Sequence, residues 1–515
     1  LLRTVSSTLS VQLSSKSGKT ECYLNIKVEK SVIIIGSGLG GLECGYILAR
    51  KGFRVTILEQ AAKPGGCLQS FRRGGHVFDT GLHYVGGLGE GQSLRPFFEY
   101  FGLMDLPWRR IDPDCVDEIV IGKQSFPLAS GHDRFVERLG ERFPAERNNL
   151  KGYARFLQKV GDDIFNIFEG DSVEMNDLLG RSAYEYLRST IADPLLRQVL
   201  SGAFMRMELL ESLPLYVFAQ INNSFIQSAW KLDGGGDQIA HRMVDSITSM
   251  GGTVRTNAKV TSIKAVCGKV SEVEVNDSET LKADWVISDA HPAVTLGLIS
   301  DGLRKVYKER ISALDNTFGV FTANICLKPE VPACPDGNIF IHREGIDLWH
   351  SDPSATESVM VHFYPGTHGC ATHLDLMSPM PFHCGDGGTD CPPSSCSKVT
   401  AFGSEEAYES AKQRKLRECL DLVASRLPWL GDSIESVTTS TPLTYSRYTS
   451  TPHGSAFGVR HDWRNPLCTV LSPRTPLTNL LFTGQSLNLH GLLGVSMTSA
   501  LTCREILGRD FIALR

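Results

Sequence analysis

The segment from Val32 to Gln60, VIIIGSGLGGLECGYILARKGFRVTILEQ, constrains the fold more than any other part of this chain. Its β-branched opening, residues 32–35, predicts a buried parallel strand. Apolar residues at helical spacing predict a helix over residues 39–51, which Gly52 ends as a C-cap residue. A second parallel strand is predicted at Val55–Leu58. This βαβ start predicts an α/β fold.

Three glycines and one acid in that segment have the spacing of a dinucleotide site. Gly36 allows a tight turn out of the strand, Gly38 lets the backbone approach a pyrophosphate, and Gly41 lets helix and strand pack closely. The helix N-terminus would offer free N–H groups to the phosphates. Glu59 suits ribose hydroxyls and would repel a 2′-phosphate. The pattern predicts a Rossmann-like domain that binds NAD or FAD and disfavours NADP.

The residues that follow Glu59 favour FAD over NAD. They read KPGGCLQSFRRGGHVFDTGLHYVGG over positions 63–87. The glycine pair Gly65 and Gly66 would bring a second backbone loop against the cofactor. A dehydrogenase domain would usually proceed to its next βα unit here, so the sequence favours a flavin.

The nucleotide-binding domain is predicted to be discontinuous, with an α+β substrate domain inserted into it. The FAD-binding parts are residues 31–105, 235–300 and 470–515. The inserted parts are residues 106–234, mainly helical, and 301–469, expected to add a sheet.

Three later segments predict further pieces of the nucleotide-binding domain. Residues 251–266 predict a glycine turn followed by a β-hairpin. A strand is predicted at Trp285–Ser288, stopped by Asp289 and Pro292. Residues 479–508 predict a strand, a glycine turn and a helix from about Gly494.

Two segments predict irregular structure. Residues 1–30 are predicted to be a disordered leader, with a targeting segment as the alternative. Residues 370–400 are predicted to be a polar loop insertion, because Pro, Gly, Ser and Cys crowd them without periodicity. A zinc site is the alternative there, since several potential ligands lie close in sequence. These ligands are His368, Cys370, His373, His383, Cys384, Cys391 and Cys396.

The overall composition excludes some classes of function. The chain has 52 basic and 57 acidic residues and a net charge of -5, without a dense basic run, so a nucleic-acid partner is not expected. No apolar run reaches the roughly 18–20 residues of a spanning helix. A cytoplasmic location is expected, with organelle targeting and peripheral membrane contact left open. The apolar segment 195–230 predicts either a helical core or an apolar tunnel or membrane-facing lid.

The motifs together resemble the flavin amine oxidase and phytoene desaturase superfamily. The glycine motif, the ribose acid, the PGG run and an FDxG element carry this resemblance. Cys67 after the glycine pair, FDTGLHYVGG (78–87) and FTGQSLNLHGLLGV (482–495) resemble the retinol saturase-like branch, which includes carotenoid isomerases. The resemblance implies FAD as the cofactor and this superfamily's fold.

The resemblance also implies which residues bind FAD. At the pyrophosphate and the adenosine ribose it implies Gly36, Ser37, Gly38, Leu39, Gly41 and Glu59. Toward the ribityl chain and the flavin ring it implies Gly65, Gly66, Cys67, Arg72, Gly484, Gln485, Gly494 and Val495. Val260 is implied to contact adenine through its backbone. No metal ligand is implied.

Three residues are candidates for proton transfer beside the flavin. They are His83, which follows the FDTG turn, its neighbour Tyr84, and His490. A structural histidine that bonds a backbone carbonyl is the competing interpretation for His83.

The expected function is an FAD-dependent oxidoreductase that acts on C=C bonds of an apolar isoprenoid, either retinoid or carotenoid-like. Saturation is expected first, with desaturation and isomerisation left open. No second GxGxxG is present, so electrons would pass to or from an external partner. The alternatives are an amine-oxidase-like flavin oxidase and a non-catalytic lipid-binding flavoprotein.

Overall fold

The computed structural model describes residues 9–14, 21–26, 30–164, 173–366, 369–382 and 402–508. Within the predicted leader, strands β1 (Leu9–Ser14) and β2 (Glu21–Ile26) pair antiparallel, which differs from the disorder expected there. Alternating apolar and polar residues, as in LSVQLS, are the pattern of a strand. The other leader positions lie outside the described residues.

A five-stranded parallel sheet forms the centre of the nucleotide-binding domain and confirms the predicted α/β class. Its strands, in spatial order, are β12 (Thr253–Arg255), β4 (Arg54–Leu58), β3 (Ser31–Ile35), β16 (Trp285–Ser288) and β22 (Leu480–Phe482). The chain segments that supply them come from all three predicted parts of the domain. The central strand β3 is buried along its whole length, as its β-branched run predicts.

Helices cover the parallel sheet. They are α1 (Leu39–Arg50), α9 (Asp237–Ser249), α10 (Pro292–Gly297), α11 (Lys305–Ser312) and α16 (Gly491–Leu507). Helix α1 lies against α9 and α16. The final helix begins at Gly491, one turn earlier than the predicted start at Gly494. A meander follows β12, with strands β13 (Val260–Val266), β14 (Lys269–Val275) and β15 (Glu279–Leu281).

The two inserted parts of the chain form a seven-stranded mixed sheet. Its order is β10 (Gln124–Leu128), β9 (Asp117–Ile121), β18 (Asn338–His342), β19 (Ser358–Pro365), β20 (Ala371–Met380), β17 (Gly319–Leu327) and β21 (Ile434–Ser440). The first insertion, in addition to its helices, therefore supplies two strands of this sheet, β9 and β10.

Strand β20 corrects the predicted loop insertion at 370–400. Residues 371–380 form an inner strand of the sheet, paired with β19 and β17. The run ATHLDLM alternates weakly, and burial on both faces of an inner strand removes the polar-outward pattern that would identify it. Positions 383–400 lie outside the described residues.

The remaining helices and short strands lie in the inserted parts of the chain and before them. Helix α2 (Arg95–Tyr100) precedes the first insertion. The helices of the first insertion are α3 (His132–Arg142), α4 (Arg147–Asp162), α5 (Val173–Leu179), α6 (Ala183–Thr190), α7 (Pro194–Ser201) and α8 (Leu215–Gln227). The later helices are α12 (Glu405–Ala424), α13 (Leu430–Ser433), α14 (Pro442–Thr449) and α15 (Pro466–Thr469). The short strands are β5 (Ser70–Arg73), β6 (His76–Asp79), β7 (Val85–Gly86), β8 (Trp108–Arg110) and β11 (Ala229–Leu232).

Helix α8 is buried on nearly every side, and this burial includes its polar residues Gln220, Asn222, Asn223 and Ser224. It forms the centre of the helical layer, with α3, α4, α5 and α6 in contact with it. Across the described ranges, none of the helices is both long and apolar enough to span a bilayer.

Candidate active site

The glycine turn after β3 has the close packing that the sequence predicts. Gly36 has a φ of 95°, a region that favours glycine, and its amide bonds the carbonyl of Leu58 at 2.8 Å. A Cβ atom on Gly41 would strike the carbonyl oxygen of Gly36. Gly41 is therefore required by the packing of helix α1 on its strand.

Glu59 is held rigidly at the end of β4. One carboxylate oxygen accepts hydrogen bonds from the amide of Ser37 at 3.0 Å and from its hydroxyl at 2.6 Å. The other accepts from the amide of Ala61 at 2.7 Å. Ser37 is fully buried and does not border the cavity described below, so in this structure it positions Glu59.

The glycine pair Gly65 and Gly66 packs against the glycine turn that follows β3. The amide of Gly65 donates to the carbonyl of Ser37 at 2.9 Å. A Cβ atom on Gly66 would lie 3.2 Å from the Cα of Gly38. Two backbone loops without side chains thus face each other, an arrangement that accommodates a phosphate-bearing chain.

These loops border a single cavity of about 1900 Å³ that continues to the inserted domain. Ligand pockets usually measure about 300–1,000 Å³, so the cavity has room for a dinucleotide and a second ligand. The predicted site residues that line it are Gly36, Gly38, Leu39, Glu59, Gly65, Gly66, Cys67, His83, Tyr84, Val260, Gly484, Gln485, His490 and Val495.

Four predicted cofactor residues do not line the cavity. Ser37 and Gly41 lie behind the glycine turn, as described above. Arg72 is exposed on β5, opposite Val77. Gly494 lies inside the first turn of α16, where a Cβ atom would strike the carbonyl of Leu489. The close packing of the backbone therefore explains why residue 494 is a glycine.

Asp289 is a cavity residue that the sequence pattern did not single out as part of the site. It follows β16, and its carboxyl accepts backbone hydrogen bonds from Gly41 and Gly38. The sequence predicts that the amides at the start of α1 are free to bind phosphate. In this structure the amides of Gly41 and Gly38 donate to Asp289 instead, which corrects that prediction. The signal in the sequence was the position of an acid directly after a strand of the parallel sheet.

Tyr84 borders the cavity at the junction with the inserted domain. Its hydroxyl accepts a hydrogen bond from Nε of Arg206 at 2.8 Å and bonds the carboxylate of Asp117. Arg206 and Asp117 form a buried ion pair. Burial raises the pKa of Tyr84 far above its ordinary value, so the phenol stays protonated.

His490 is the N-cap residue of α16. Its Nε2 atom donates to the carbonyl of Arg206 at 2.9 Å, and its ring stacks on Phe457 with centroids 4.3 Å apart. Burial lowers its pKa to about 4, so it is neutral at pH 7. This geometry fixes His490 as a neutral ring that links α16 to the Arg206 turn.

His83 is held less tightly than the other two candidates. Its Nε2 atom lies 3.5 Å from the Oδ2 atom of Asp375 and has no hydrogen-bond partner. Its ring meets His362 edge to face at 5.1 Å. The side chain is 10% exposed, at the wall of the cavity.

The far part of the cavity is apolar. Phe340, Met360 and Met377 lie side by side on β18, β19 and β20, because the strand register pairs Phe340 with Met360 and Met360 with Met377. Ile221 and Phe225, one turn apart on α8, also line this part. We call these five residues the apolar chamber. The segment 195–230 thus supplies both helical core and cavity wall.

Metal ligands do not gather at this site. The portion of the chain that the structure covers contains no group of three His, Cys, Asp or Glu side chains able to hold an ion. Most of the Cys/His cluster near position 390 lies outside the described residues.

The fold and the cavity define a flavin-dependent oxidoreductase. Residues 39–506 match the flavin containing amine oxidoreductase family. The chain belongs to this family, and FAD is its cofactor. The glycine-lined loops, the carboxylate of Glu59 and the helix start at Gly491 fit an extended FAD.

Relatives and a solved structure agree with this assignment. The chain is similar to all-trans-retinol 13,14-reductase of Danio rerio, at 26% identity over 92% of this chain and 85% of that protein. It is also similar to prolycopene isomerase 1, chloroplastic, of an Oncidium hybrid cultivar, at 26% identity over 57% of this chain and 55% of that protein. Its fold resembles cyclohexylamine oxidase from Brevibacterium oxydans, with a TM-score of 0.59 and 15% identity over 93% and 100% of the two chains.

Proposed function

We propose that this chain reduces a C=C bond of an apolar isoprenoid, retinoid- or carotenoid-like, with FAD as the redox cofactor. The observation that carries the proposal is the apolar chamber, which belongs to the same cavity as the glycine-lined loops. The names of the relatives, a retinol reductase and a prolycopene isomerase, support the same substrate class. Desaturation and isomerisation of the same substrates are the alternative reactions.

The chemistry of saturation assigns different tasks to the cofactor and to the protein. FAD, when bound and reduced, supplies a hydride to one carbon of the double bond. The adjacent carbon must then receive a proton, so the cavity wall needs a group that can hold one. His83, Tyr84 and His490 are the candidates at that wall.

His83 is the best placed of the three to carry the proton. Tyr84 shares its hydroxyl with Arg206 and Asp117, and His490 is neutral and bonded to a backbone carbonyl. The Nε2 atom of His83 has no hydrogen-bond partner and lies 3.5 Å from the Oδ2 atom of Asp375. We assign proton transfer to His83. Tyr84 and His490 are assigned the structural task of holding the cavity wall in place.

The apolar chamber disfavours an amine substrate. A protonated amine would lose its hydration there, and none of the five chamber residues carries a charge that could compensate for that loss. The likeness to cyclohexylamine oxidase concerns the fold alone. Function depends on the groups at the site, so the apolar chamber outweighs the shared fold.

Electrons are proposed to come from an external donor, because the sequence has no second GxGxxG motif. An apolar substrate must also be collected from a lipid phase, so we propose peripheral membrane contact. Flotation of the purified protein with phosphatidylcholine liposomes tests this contact. Protein that remains in the dense fractions, with and without retinol in the liposomes, would refute it.

Incubation with defined substrates tests the proposed reaction. The FAD-bound protein is incubated anaerobically with all-trans-retinol, phytoene or lycopene, with and without dithionite, and the products are separated by chromatography and weighed by mass spectrometry. A product two hydrogens heavier, formed only with reductant, supports saturation. A lighter product supports desaturation, and an isomer of equal mass supports isomerisation. No product from any polyene would refute the proposal.

A further inference from the structure

A carboxyl group lies in the middle of the glycine-lined part of the cavity. The side chain of Asp289 points between the first turn of α1 and the turn at Gly484. A Cβ atom on Gly40 would lie 2.5 Å from its Oδ1 atom, and a Cβ on Gly484 would lie 2.7 Å from the same atom. A Cβ on Gly38 would strike its Oδ2 atom. A side chain on any of these glycines would displace the carboxyl of Asp289 from its observed position.

Besides the amides of Gly38 and Gly41, which donate to its carboxyl, Asp289 has two carboxyl groups and a thiol near it. Glu59 lies at the end of β4, Glu43 on α1, and Cys67 on the turn after the second glycine pair, and each interacts electrostatically with Asp289. His291, two residues further along, is neutral at pH 7, because burial lowers its pKa to about 4. Burial, with a smaller effect from Glu59, raises the pKa of Asp289 to about 7, although the hydrogen bonds from the amides of Gly41 and Gly38 act in the opposite direction.

The phosphates of FAD must approach the same backbone loops that hold this carboxyl. The loops at Gly38, Gly66 and Gly484 all line the cavity together with Asp289. An ionised carboxylate among them would repel a pyrophosphate, whereas a protonated carboxyl would donate a hydrogen bond to a phosphate oxygen. The two protonation states of one side chain thus have opposite effects on the cofactor.

We propose that FAD binding to this cavity is coupled to the uptake of one proton by Asp289, which binds the pyrophosphate in its protonated form. Asp289 is then both a cofactor ligand and the source of a pH dependence of cofactor retention. The inference depends on FAD in this cavity and is independent of the substrate.

Retention of FAD at different pH values tests this coupling. The FAD-bound protein is diluted into buffers from pH 6 to pH 9, and FAD in an ultrafiltrate is measured by fluorescence. We expect the Kd to rise about tenfold per pH unit above about pH 7, the slope for one proton. In Asp289→Asn, which keeps the shape and removes the charge, the Kd should not vary across this range. Asp301→Asn, at an exposed position, is the matched control and should keep the wild-type slope.

A second measurement does not depend on any variant. FAD is displaced from the wild-type protein by mild chaotrope in weakly buffered solution at pH 8, with a pH indicator present. One proton released per FAD supports the coupling. A constant Kd from pH 6 to pH 9 with no proton release would overturn it. So would an unchanged slope in a folded Asp289→Asn protein, or a loss of FAD from that variant at all pH values.

Discussion

The Nε2 atom of His83 lies 3.5 Å from the Oδ2 atom of Asp375 and makes no hydrogen bond. Asp375 is fully buried on β20, and its carboxylate already accepts hydrogen bonds from the hydroxyl of Tyr364 at 2.8 Å and from Asn324 at 2.5 Å. The histidine is thus near a fixed anion without being locked to it. This relationship distinguishes His83 from Tyr84 and His490.

The role of His83 gives the first prediction. Replacement of His83 by Gln should lower the rate of polyene reduction by about 10²–10⁴-fold, because general acid catalysis contributes about that much. The FAD content should not change, since the fold of the glycine loops does not depend on this ring. Steady-state rates and the flavin spectrum measure the two quantities.

A matched histidine variant serves as the control for His83. His350 is exposed and far from the cavity lining, so His350→Gln should retain the wild-type rate. Full turnover in a FAD-loaded His83→Gln protein would reject proton transfer by His83 and favour a structural role.

Glu59 gives the second prediction. Glu59→Gln should weaken FAD binding by about 10- to 100-fold, because hydrogen bonds to a charged group contribute about 1.5–3 kcal/mol. Ser37→Ala removes one of its donors and should weaken binding less. Glu279→Gln, which breaks a partly exposed pair with Arg255, should leave the Kd unchanged. Equal FAD affinity in all four proteins would contradict the assignment of Glu59 to the cofactor.

The ion pair behind Tyr84 gives the third prediction. Asp117→Asn should lower the free energy of unfolding by about 3–5 kcal/mol, because it leaves the buried charge of Arg206 uncompensated. Denaturant titration measures this change. Glu99→Gln removes the partner of Arg95 in a partly exposed pair and should have no comparable effect. The double change Asp117→Asn with Arg206→Met should recover part of the loss, and a fully additive result would contradict a direct coupling.

The apolar chamber gives the fourth prediction. Met205 lines the same cavity as the chamber, and Met205→Trp should narrow that cavity. We expect the KM for a C40 carotenoid to rise at least tenfold, with the FAD content unchanged. Met104→Trp, at a partly buried position away from the cavity, is the control. Unaltered kinetics with every polyene would show that the substrate binds elsewhere.

The fifth prediction concerns acid stability. The buried ring of His342 bonds the hydroxyl of Ser358 at 2.7 Å and the carbonyl of Gly202 at 2.9 Å. Burial lowers its pKa to about 4, below the value of about 6.5 in an unfolded chain. The unfolded state therefore takes up the proton first, and stability should fall as the pH decreases from about 6.5 to 4, by up to about 1.4 kcal/mol per pH unit.

Thermal unfolding across that pH window measures the effect of His342. His342→Gln should flatten the dependence of Tm on pH between 6.5 and 4. At the exposed His350, the hydrogen bonds to Asp347 and Glu211 raise the pKa, so its contribution has the opposite sign and His350→Gln should not flatten the curve. An identical slope in the wild type and in His342→Gln would contradict this account.

Local motifs in the sequence predict the nucleotide-binding half of the site. Gly36, Gly38 and Glu59 lie within one βαβ unit, where spacing along the chain directly determines spacing in the fold. The sequence also predicts the strand at Trp285–Ser288 at its observed position, because its short β-branched run is followed directly by the polar residue Asp289. FAD and the α/β class followed from these elements.

The reacting half of the site could not be predicted in this way. Asp375 comes close to His83 through the register of a sheet, and Arg206 reaches the cavity through the packing of a buried turn. Local spacing along the chain encodes neither relationship. Asp289 was visible only as a residue that ends a strand, because its contacts to the glycine turns are long-range. Arg72 is exposed on the hairpin of β5 and β6, so its closeness in sequence to the glycine pair does not bring it to the cavity.

Reoxidation of the reduced flavin tests the central proposal most directly. The FAD-bound protein is reduced anaerobically with one equivalent of dithionite, mixed with all-trans-retinol, phytoene or lycopene, and followed by flavin absorbance. We predict that at least one polyene restores the oxidised spectrum and yields one molecule of a product two hydrogens heavier per flavin. Persistence of the reduced spectrum with every polyene, together with reduction of the oxidised protein by an amine, would contradict the proposal.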